Sequence, residues 1–480
     1  MTIGSLAAVY LAIAAIALIH AGLITAQAYE FRRYALSRLK HPTVAAPLGG
    51  RAAIIVTCRG LDLGLTENLR SLFEQDYDDY VLILVVDHRD DPAYELIERL
   101  CHSYPDRAWR LIVAGAARNC GQKVHNLLSA TSALSKDIEY LAFADSDTRT
   151  GRSWLRQLVQ HLDTPGVAAA TAYRWLVPAR PTLTNLLLHS LDAGVATVIG
   201  PARHHFVWGG SWAIRRETFE RFRVAAAWRG TLSDDLVAAR ALHYAGRIRF
   251  EPEALAPTVI DYEWPDLLSF VHRQFALGRR YAPDFWAVAT LAAVAQQGVF
   301  WIGLALLPSA VVLGGWGAWA VAASIALYAM QVGRAFLRQD AVRQLLPDYT
   351  QRLARARTFD LWLAPLAGLL GCWGLISALV SPRIRWRGIH YRVFADGRIA
   401  VLDSTITPVA GAAGEGQTAR EPSVDGTPAG GTPLPVGNHS YATHPFDAHP
   451  FDSHPFDSAP SGGQTSAKLP PGVRLRRARR

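Results

Sequence analysis

Tyr80-Val-Leu-Ile-Leu-Val-Val-Asp-His-Arg-Asp-Asp-Pro-Ala93 is the stretch on which the fold turns. Its first half, Tyr80 to Val86, is unbroken apolar sequence with no polar alternation, the signature of a strand buried on both faces. The run stops at Asp87, and Pro92 opens a helix over Ala93 to His102. Working outward, Ala52 to Thr57 is a second buried strand followed by helical spacing over Thr66 to Glu74, with Leu69, Leu72 and Phe73 on one face. Trp109 to Val113 is a strand, Lys123 to Leu134 a helix, and Glu139 to Ala144 a strand ending at Asp145. Ser153 to Leu162 then reads as a helix and Gly166 to Ala172 as a strand. Strands alternating with helices predict an α/β domain with a parallel sheet covered on both faces. In such sheets ligands bind beyond the carboxyl ends of the strands, where Asp87 and Asp145 both fall.

Apolar sequence flanks this region. Ile3 to Tyr29 is long enough to span a bilayer and is interrupted by little more than His20 and Gln27. Ala26-Gln27-Ala28 has the look of a signal-peptide cleavage site. However, no Lys or Arg precedes the run, while Arg32, Arg33, Arg38 and Lys40 follow it. That asymmetry predicts an uncleaved anchor with its N-terminus outside and the next domain in the cytoplasm. Ala287 to Leu307 and Ala310 to Val332 are two further apolar spans. Arg334 to Arg357 is basic and amphipathic and reads as an interfacial helix broken near Pro347. Leu361 to Val380 is a third span in this block. With the domain inside, three spans would put Arg383, Arg385, Arg387 and Arg392 outside, against the charge rule, so the segment containing Pro365 is expected to be re-entrant.

The organisation expected is an anchor at 1–30, a basic linker at 31–50, an α/β domain at 51–285, a membrane block at 286–400 and a low-complexity tail at 401–480. The tail carries three His-Pro-Phe-Asp copies, starting at His444, His449 and His454, and an Arg-rich end, in a composition unable to bury a core. Net charge is +9. Because the basic residues border apolar spans, they indicate membrane orientation and anionic headgroups, with no nucleic acid as partner. Cys58, Cys101, Cys120 and Cys372 are scattered without a CxxC pair, which excludes a disulfide framework and a thiolate zinc site.

Asp145-Ser146-Asp147 presents two carboxylates one residue apart, a way to hold Mg²⁺ or Mn²⁺ against a diphosphate. By itself the pattern is more often a turn in which Asp and Ser cap the next helix. Asp87 is placed to accept from a nucleotide's base or ribose, whereas Asp91 before Pro92 reads as a helix cap. Lys123, after Gly121 at a helix start, suits a phosphate. Asp234 and Asp235 precede a helix over Leu236 to Ala245. Adjacent carboxylates raise one another's pKa, and Asp235 is the candidate base for an acceptor hydroxyl. Trp208-Gly209-Gly210-Ser211-Trp212 has glycines that permit close backbone approach. Thr182 to Gly200 is an apolar helix expected near the membrane. Arg279-Arg280-Tyr281 pairs diphosphate-clamping cations with an aromatic, or else is a basic juxtamembrane anchor.

At these residues the chain resembles family-2-type inverting glycosyltransferases of the GT-A fold, and within them the ceramide glucosyltransferase group and its bacterial relatives. Asp87-His88-Arg89-Asp90-Asp91-Pro92-Ala93 is similar to that group's Asp-His-x-Asp-Asp-Pro-Ala signature. Lys123 with Asn126-Leu127 resembles its Lys-x-x-Asn-Leu segment. Asp234-Asp235 stands where relatives carry Glu-Asp. Trp386-Arg387-Gly388 with Tyr391-Arg392 resembles a tail motif of related bacterial enzymes.

The family's Gln/Arg-x-x-Arg-Trp is here Leu277-Gly278-Arg279-Arg280-Tyr281, with Gln274 three residues before Leu277; this departure argues against a processive polysaccharide synthase, the first alternative. A non-catalytic membrane scaffold is the second. What the resemblance implies is a UDP-sugar donor held by Thr57, Asp87, Lys123, Asp145, Arg279 and Arg280, and a metal on Asp145 and Asp147. It further implies a lipid acceptor near Trp208 and Tyr281, Asp235 as base, and a multi-pass protein of the bacterial inner membrane transferring a hexose, glucose foremost.

Overall fold

The computed structural model describes residues 3–40, 49–197, 206–309 and 315–404. Its strands, in chain order, are β1 (Arg51–Thr57), β2 (Tyr80–Val86), β3 (Ala108–Val113), β4 (Ile138–Asp145), β5 (Val167–Thr171), β6 (Arg174–Pro178), β7 (Ser211–Arg215), β8 (Arg247–Phe250), β9 (Ala256–Ile260), β10 (Arg383–Trp386), β11 (Ile389–Val393) and β12 (Ile399–Ser404). The helices are α1 (Ile3–Lys40), α2 (Leu65–Phe73), α3 (Pro92–His102), α4 (Gln122–Ser132), α5 (Trp154–Val159), α6 (Leu183–Ala196), α7 (Arg216–Arg221), α8 (Val224–Trp228), α9 (Asp235–Ala241), α10 (Trp264–Tyr281), α11 (Pro283–Ala305), α12 (Gly315–Leu345), α13 (Ala354–Trp362) and α14 (Ala364–Val380).

The main sheet has the order β3-β2-β1-β4-β7-β5-β8. The first four of these run parallel, while β7 is antiparallel to both β4 and β5. Alternation along β1 explains its unbroken apolar run. Ala53 and Ile55 enter one core layer, with Ile83, Val85, Leu141 and Phe143. Ala52, Ile54 and Val56 enter the opposite layer, with Leu82, Leu84, Val86 and Ala142. In the first layer Phe143 stacks on Trp212 at 4.3 Å between ring centres, and Trp228 meets Phe143 edge-on. Aromatic pairs of this geometry add about 0.5–1.5 kcal/mol beyond burial.

β6 pairs with β9 in a small parallel sheet, and β10 to β12 form a three-stranded antiparallel sheet after the last apolar helix. The sequence pattern had not announced these short strands. Their apolar positions are few, and for β6 and β9 the partner lies about 80 residues away in sequence.

Among the described residues three helices, α1, α11 and α12, are long and apolar enough to cross a membrane, and α13 with α14 forms a pair bent by 79°. The bend falls at Leu363, two residues before Pro365, on the segment expected to be re-entrant. Two boundaries differ from the sequence reading. α1 does not end near Tyr29 but runs on to Lys40, through what had been read as a linker. Phe31 is buried against Phe250, Arg32 pairs with Asp340 at 2.7 Å, and Tyr34 donates to the Phe250 carbonyl at 3.0 Å.

Nor is Arg334 onward a separate interfacial helix: it continues α12 to Leu345. Ala335, Ala341 and Val342 are buried there, because contacts with the globular domain replace the lipid surface that an amphipathic pattern alone implies. The Thr182 to Gly200 helix is observed as α6. Residues 198–200, the His-Pro-Phe-Asp copies and Arg474 to Arg480 lie outside the described residues.

Candidate active site

Three strand ends and two loops build the site. β1 and β4 run side by side with Thr57 in register with Asp145, so both sit at the carboxyl edge of the sheet. Asp87 ends β2, fully buried, and its carboxylate is ion-paired with Arg59. Asp91 caps α3 by accepting from the Ala93 amide at 2.8 Å. The same carboxylate also accepts from the Gly60 amide at 2.9 Å, fastening the loop after β1 to the signature loop after β2.

The Asp-x-Asp turn is held by its middle residue. Ser146 points inward, its hydroxyl donating to Asp62 Oδ2 at 2.6 Å, while its carbonyl accepts from Asn68 Nδ2 at 3.1 Å. Asp145 and Asp147 stand on either side of it, close enough for one carboxylate to act on the other. The Asp147 pKa is raised by burial and by the nearby carboxylates of Asp145 and Asp62. Like charges crowded in this way fit a bound divalent cation, which would relieve the repulsion. Among the described residues no three His, Cys, Asp or Glu side chains converge on one point. Two carboxylates with phosphate oxygens and water are the donor set Mg²⁺ accepts.

Lys123 is brought in by α4, whose first turn follows Gly121. A Cβ at Gly121 would lie 2.6 Å from Leu232 Cδ1 and 3.2 Å from Leu232 Cα, so glycine lets this turn pack closely on Leu232. Lys123 Nζ lies 2.7 Å from Asp145 Oδ1 and 3.1 Å from Asp234 Oδ2. Burial works against its ammonium, but Asp145, Asp234 and Asp235 outweigh it and hold the pKa above the usual lysine value. Asp145 is also buried, yet Lys123 and Arg174 keep its pKa below the ordinary value. For Asp234 burial prevails, aided by Asp235 and Asp145, and its pKa is pushed up to about 7.

Ser233 caps the start of α9, its hydroxyl oxygen accepting from the Leu236 amide at 3.2 Å. Asp235 Oδ1 accepts from the Ser233 hydroxyl at 2.5 Å and from the Leu236 amide at 2.7 Å. Its Oδ2 makes no hydrogen bond among the described residues, and the side chain is half-buried.

The glycine pair lies over this cluster. A Cβ on Gly209 would come within 2.9 Å of Asp234 Oδ2 and 3.2 Å of Lys123 Nζ, and one on Gly210 within 2.6 Å of Asp145 Oδ2. Any side chain at either position would displace the carboxylates. Trp208, next in line, is half-buried and meets the Tyr173 ring edge-on at 4.5 Å.

Other sequence-derived residues sit elsewhere. Arg279 does not face the carboxylates: its Nη1 donates to the Ala378 carbonyl at 2.7 Å, at the carbonyl end of α14, where a cation meets the negative helix end. Tyr281 is buried, donating to the Gly397 carbonyl at 2.7 Å and accepting from the Leu232 amide at 2.9 Å. It is thus a brace between the last sheet and the Ser233-Asp234-Asp235 loop, with no free face for an acceptor. Arg280 is half-buried and makes no ion pair among the described residues.

Several residues of the site escaped the sequence reading. Arg387 Nη2 lies 2.7 Å from Asp62 Oδ1, and Arg387 Nη1 donates to the Arg59 carbonyl at 2.8 Å. Arg59 Nε donates back to the Arg387 carbonyl at 2.9 Å. Arg174 lies 3.9 Å from Asp145 Oδ2. Tyr391 accepts from the Gln122 amide at 3.2 Å, at the head of the Lys123 helix. The sheet β10 to β12 thus braces the site from the far end of the chain. Its signal was the Trp386-Arg387-Gly388 and Tyr391 motif, but nothing local to that motif reveals that it meets Asp62.

Residues 9–399 match the family described as glycosyl transferase family 21. Among solved structures, a mannosyltransferase from Pyrobaculum calidifontis in complex with GDP-mannose and Mn²⁺ is 19% identical with a TM-score of 0.40; the match covers 74% of this chain and 99% of that one. GalNAc-T7 with UDP, GalNAc and Mn²⁺ is 11% identical with a TM-score of 0.34, over 48% of this chain and 50% of that one.

Proposed function

From the premise that the chain belongs to glycosyl transferase family 21, we propose that it transfers a hexose, glucose foremost, from a UDP-sugar to the hydroxyl of a ceramide-like membrane lipid, inverting the anomeric carbon. The observation that carries this reading is the convergence of Lys123, Asp145 and Asp234 beneath Gly209 and Gly210, one residue from Asp235. A cation beside crowded carboxylates, with a half-buried carboxylate next to them, is what attack by a hydroxyl on a diphosphate sugar requires.

Asp235 takes the proton of the acceptor hydroxyl as that oxygen attacks the anomeric carbon. The bond from that carbon to the diphosphate oxygen breaks, and its electron pair leaves with the diphosphate. Lys123 and Arg280 meet the growing phosphate charge, and Asp87 with Thr57 holds the nucleoside. Mg²⁺ or Mn²⁺ on Asp145 and Asp147 supplies charge neutralisation for the departing diphosphate. Trp208 borders the acceptor. In this reading α1, α11 and α12 span the bilayer, the protein is multi-pass in a bacterial inner membrane, and the site faces the cytoplasm, as Arg32, Arg33, Arg38 and Lys40 after the first apolar run support.

Purified protein in lipid, with Mn²⁺ or Mg²⁺, is offered labelled UDP-glucose, UDP-galactose or UDP-N-acetylglucosamine together with ceramide, diacylglycerol or total bacterial lipid. The expected result is a metal-dependent lipid carrying one added sugar. A water-soluble polymer, or no product from any donor, would overturn the reading.

A further inference from the structure

The cations of the site divide by partner. Arg59 has Asp87, Arg174 has Asp145, Arg387 has Asp62, and Lys123 has Asp145 and Asp234. Arg273 lies among them and makes no hydrogen bond or ion pair among the described residues. Its guanidinium instead lies over two rings, 4.6 Å from the centre of Trp386 and 5.2 Å from that of Phe270. Phe270 also receives Arg174, at 5.5 Å. Trp386 precedes Arg387, which stands at φ 47°, an αL conformation uncommon for a side chain of this size and fixed by the Arg59 and Asp62 bonds.

One guanidinium therefore lies over the faces of two aromatic rings, with cationic Arg174 and Arg387 as neighbours. Contact with a ring face takes up no N–H group, so the donors stay available for bidentate phosphate binding. Burial, with Arg174 and Arg387 close by, pushes the Arg273 pKa down to about 10, as a cation lacking its anion would show.

We propose that Arg273, seated on Trp386 of the strand following the last apolar helix and flanked by Arg174 and Arg387, binds the diphosphate of a nucleoside diphosphate beside Asp145 and Asp147. This rests on the proposed donor class. It gives the post-membrane sheet a direct part in donor binding: the hairpin supplies the ring that positions the cation, and Arg387 ties the same hairpin to Asp62, which holds the Asp-x-Asp turn through Ser146.

The test is equilibrium binding of UDP and UMP, and of GDP and GMP, to full-length protein in detergent with Mn²⁺. Wild type is expected to prefer the diphosphate. Arg273→Gln should lose about ten- to hundredfold of diphosphate affinity while monophosphate affinity stays, the scale for losing a charged hydrogen-bond pair. Trp386→Leu, which removes no charge, should lose a smaller part of the same preference, and Arg273→Lys should recover some of it. An unchanged diphosphate preference in Arg273→Gln overturns the inference, and so does an equal loss of both affinities, which would mark a merely structural role. Wild type that binds neither UDP nor GDP overturns the donor class and this inference together.

Discussion

Two buried clusters of carboxylate and cation sit in this protein, and they are finished to different degrees. In the first, Asp360 of α13 has both oxygens fully engaged. Oδ1 accepts from Ser190 at 2.7 Å and from Arg338, and Oδ2 accepts from Arg338 Nε at 2.7 Å and Gln339 Nε2 at 2.8 Å. Gln339 also reaches His189 Nε2 at 3.1 Å, which assigns the ring proton to Nδ1, donating to the Leu176 carbonyl at 2.7 Å. In the second, at the strand ends, Asp235 keeps an oxygen without a hydrogen bond among the described residues, Asp147 crowds against like charge, and Arg273 makes no ion pair among the described residues. A complete network clamps α6, α12 and α13 together; an incomplete one is what a ligand completes. Buried charge is therefore no guide to function until its bonds are counted.

The contrast can be broken most directly at Asp235. Asp235→Asn should lower transfer by about 10²–10⁴-fold, the span for removing a general base, while leaving nucleotide binding intact. Turnover at wild-type rate would return Asp235 to the status of a helix-start residue. At the clamp the effect should appear in stability instead. Asp360→Asn leaves Arg338 buried without its anion and should cost about 3–5 kcal/mol, seen as a lower thermal midpoint in detergent. The fraction that stays folded should keep its specific activity, and selective loss of activity would erase the distinction drawn here.

A finer probe is Gly210→Ala. Its methyl would arrive 2.6 Å from Asp145 Oδ2. Displacing that carboxylate by about 1 Å should cost roughly 10²-fold in rate with little change in melting, since misplacement at a site is punished more than packing on its rim. The smallest effect concerns pH. Burial, with Asp235 and Asp145 beside it, pushes the Asp234 pKa up to about 7 from an ordinary 3.8. A raised folded value means its contribution to stability is complete at acid pH and is lost as pH rises through about 7. Wild type should therefore lose more stability than Asp234→Asn between pH 5 and pH 8, measured as the difference in melting temperature. Parallel profiles would show that Lys123 already keeps Asp234 ionised throughout.

Fold and site differ in how legible they were. The mixed α/β architecture of the GT-A class stands, because the central strands announce themselves as apolar runs, and two of them, β2 and β4, stop at a carboxylate, Asp87 and Asp145. Where neighbours override local pattern, reading by period failed. Arg334 to Leu345 looked like an interfacial helix until α1 and the globular domain supplied its apolar contacts. Arg32 to Lys40 looked like a linker until Asp340 and Phe250 gave it partners. Within the site, Asp87, Lys123, Asp145, Asp147 and Asp235 could be named from motif and strand position. Arg279 and Tyr281 shared a motif with Arg280, yet one turns to the end of α14 and the other braces a loop. Successive residues on a helix point about 100° apart, so a linear motif cannot state which of its members faces the ligand.

What the sequence by itself determined is whatever depends on near neighbours: the alternation of strand and helix, the carboxylates at strand ends, the apolar lengths of the spanning candidates and the glycines beside Trp208. What only the tertiary structure decided is which distant residues share one electrostatic environment. Arg387 meets Asp62, Tyr391 meets the head of the Lys123 helix and Tyr281 holds the loop before Asp235, all through a sheet that returns to the site after the last apolar helix. Coulomb and hydrogen-bond energies act over a few ångströms of space and take no account of separation along the chain, so sequence names the groups while the fold decides which are left for a ligand to satisfy.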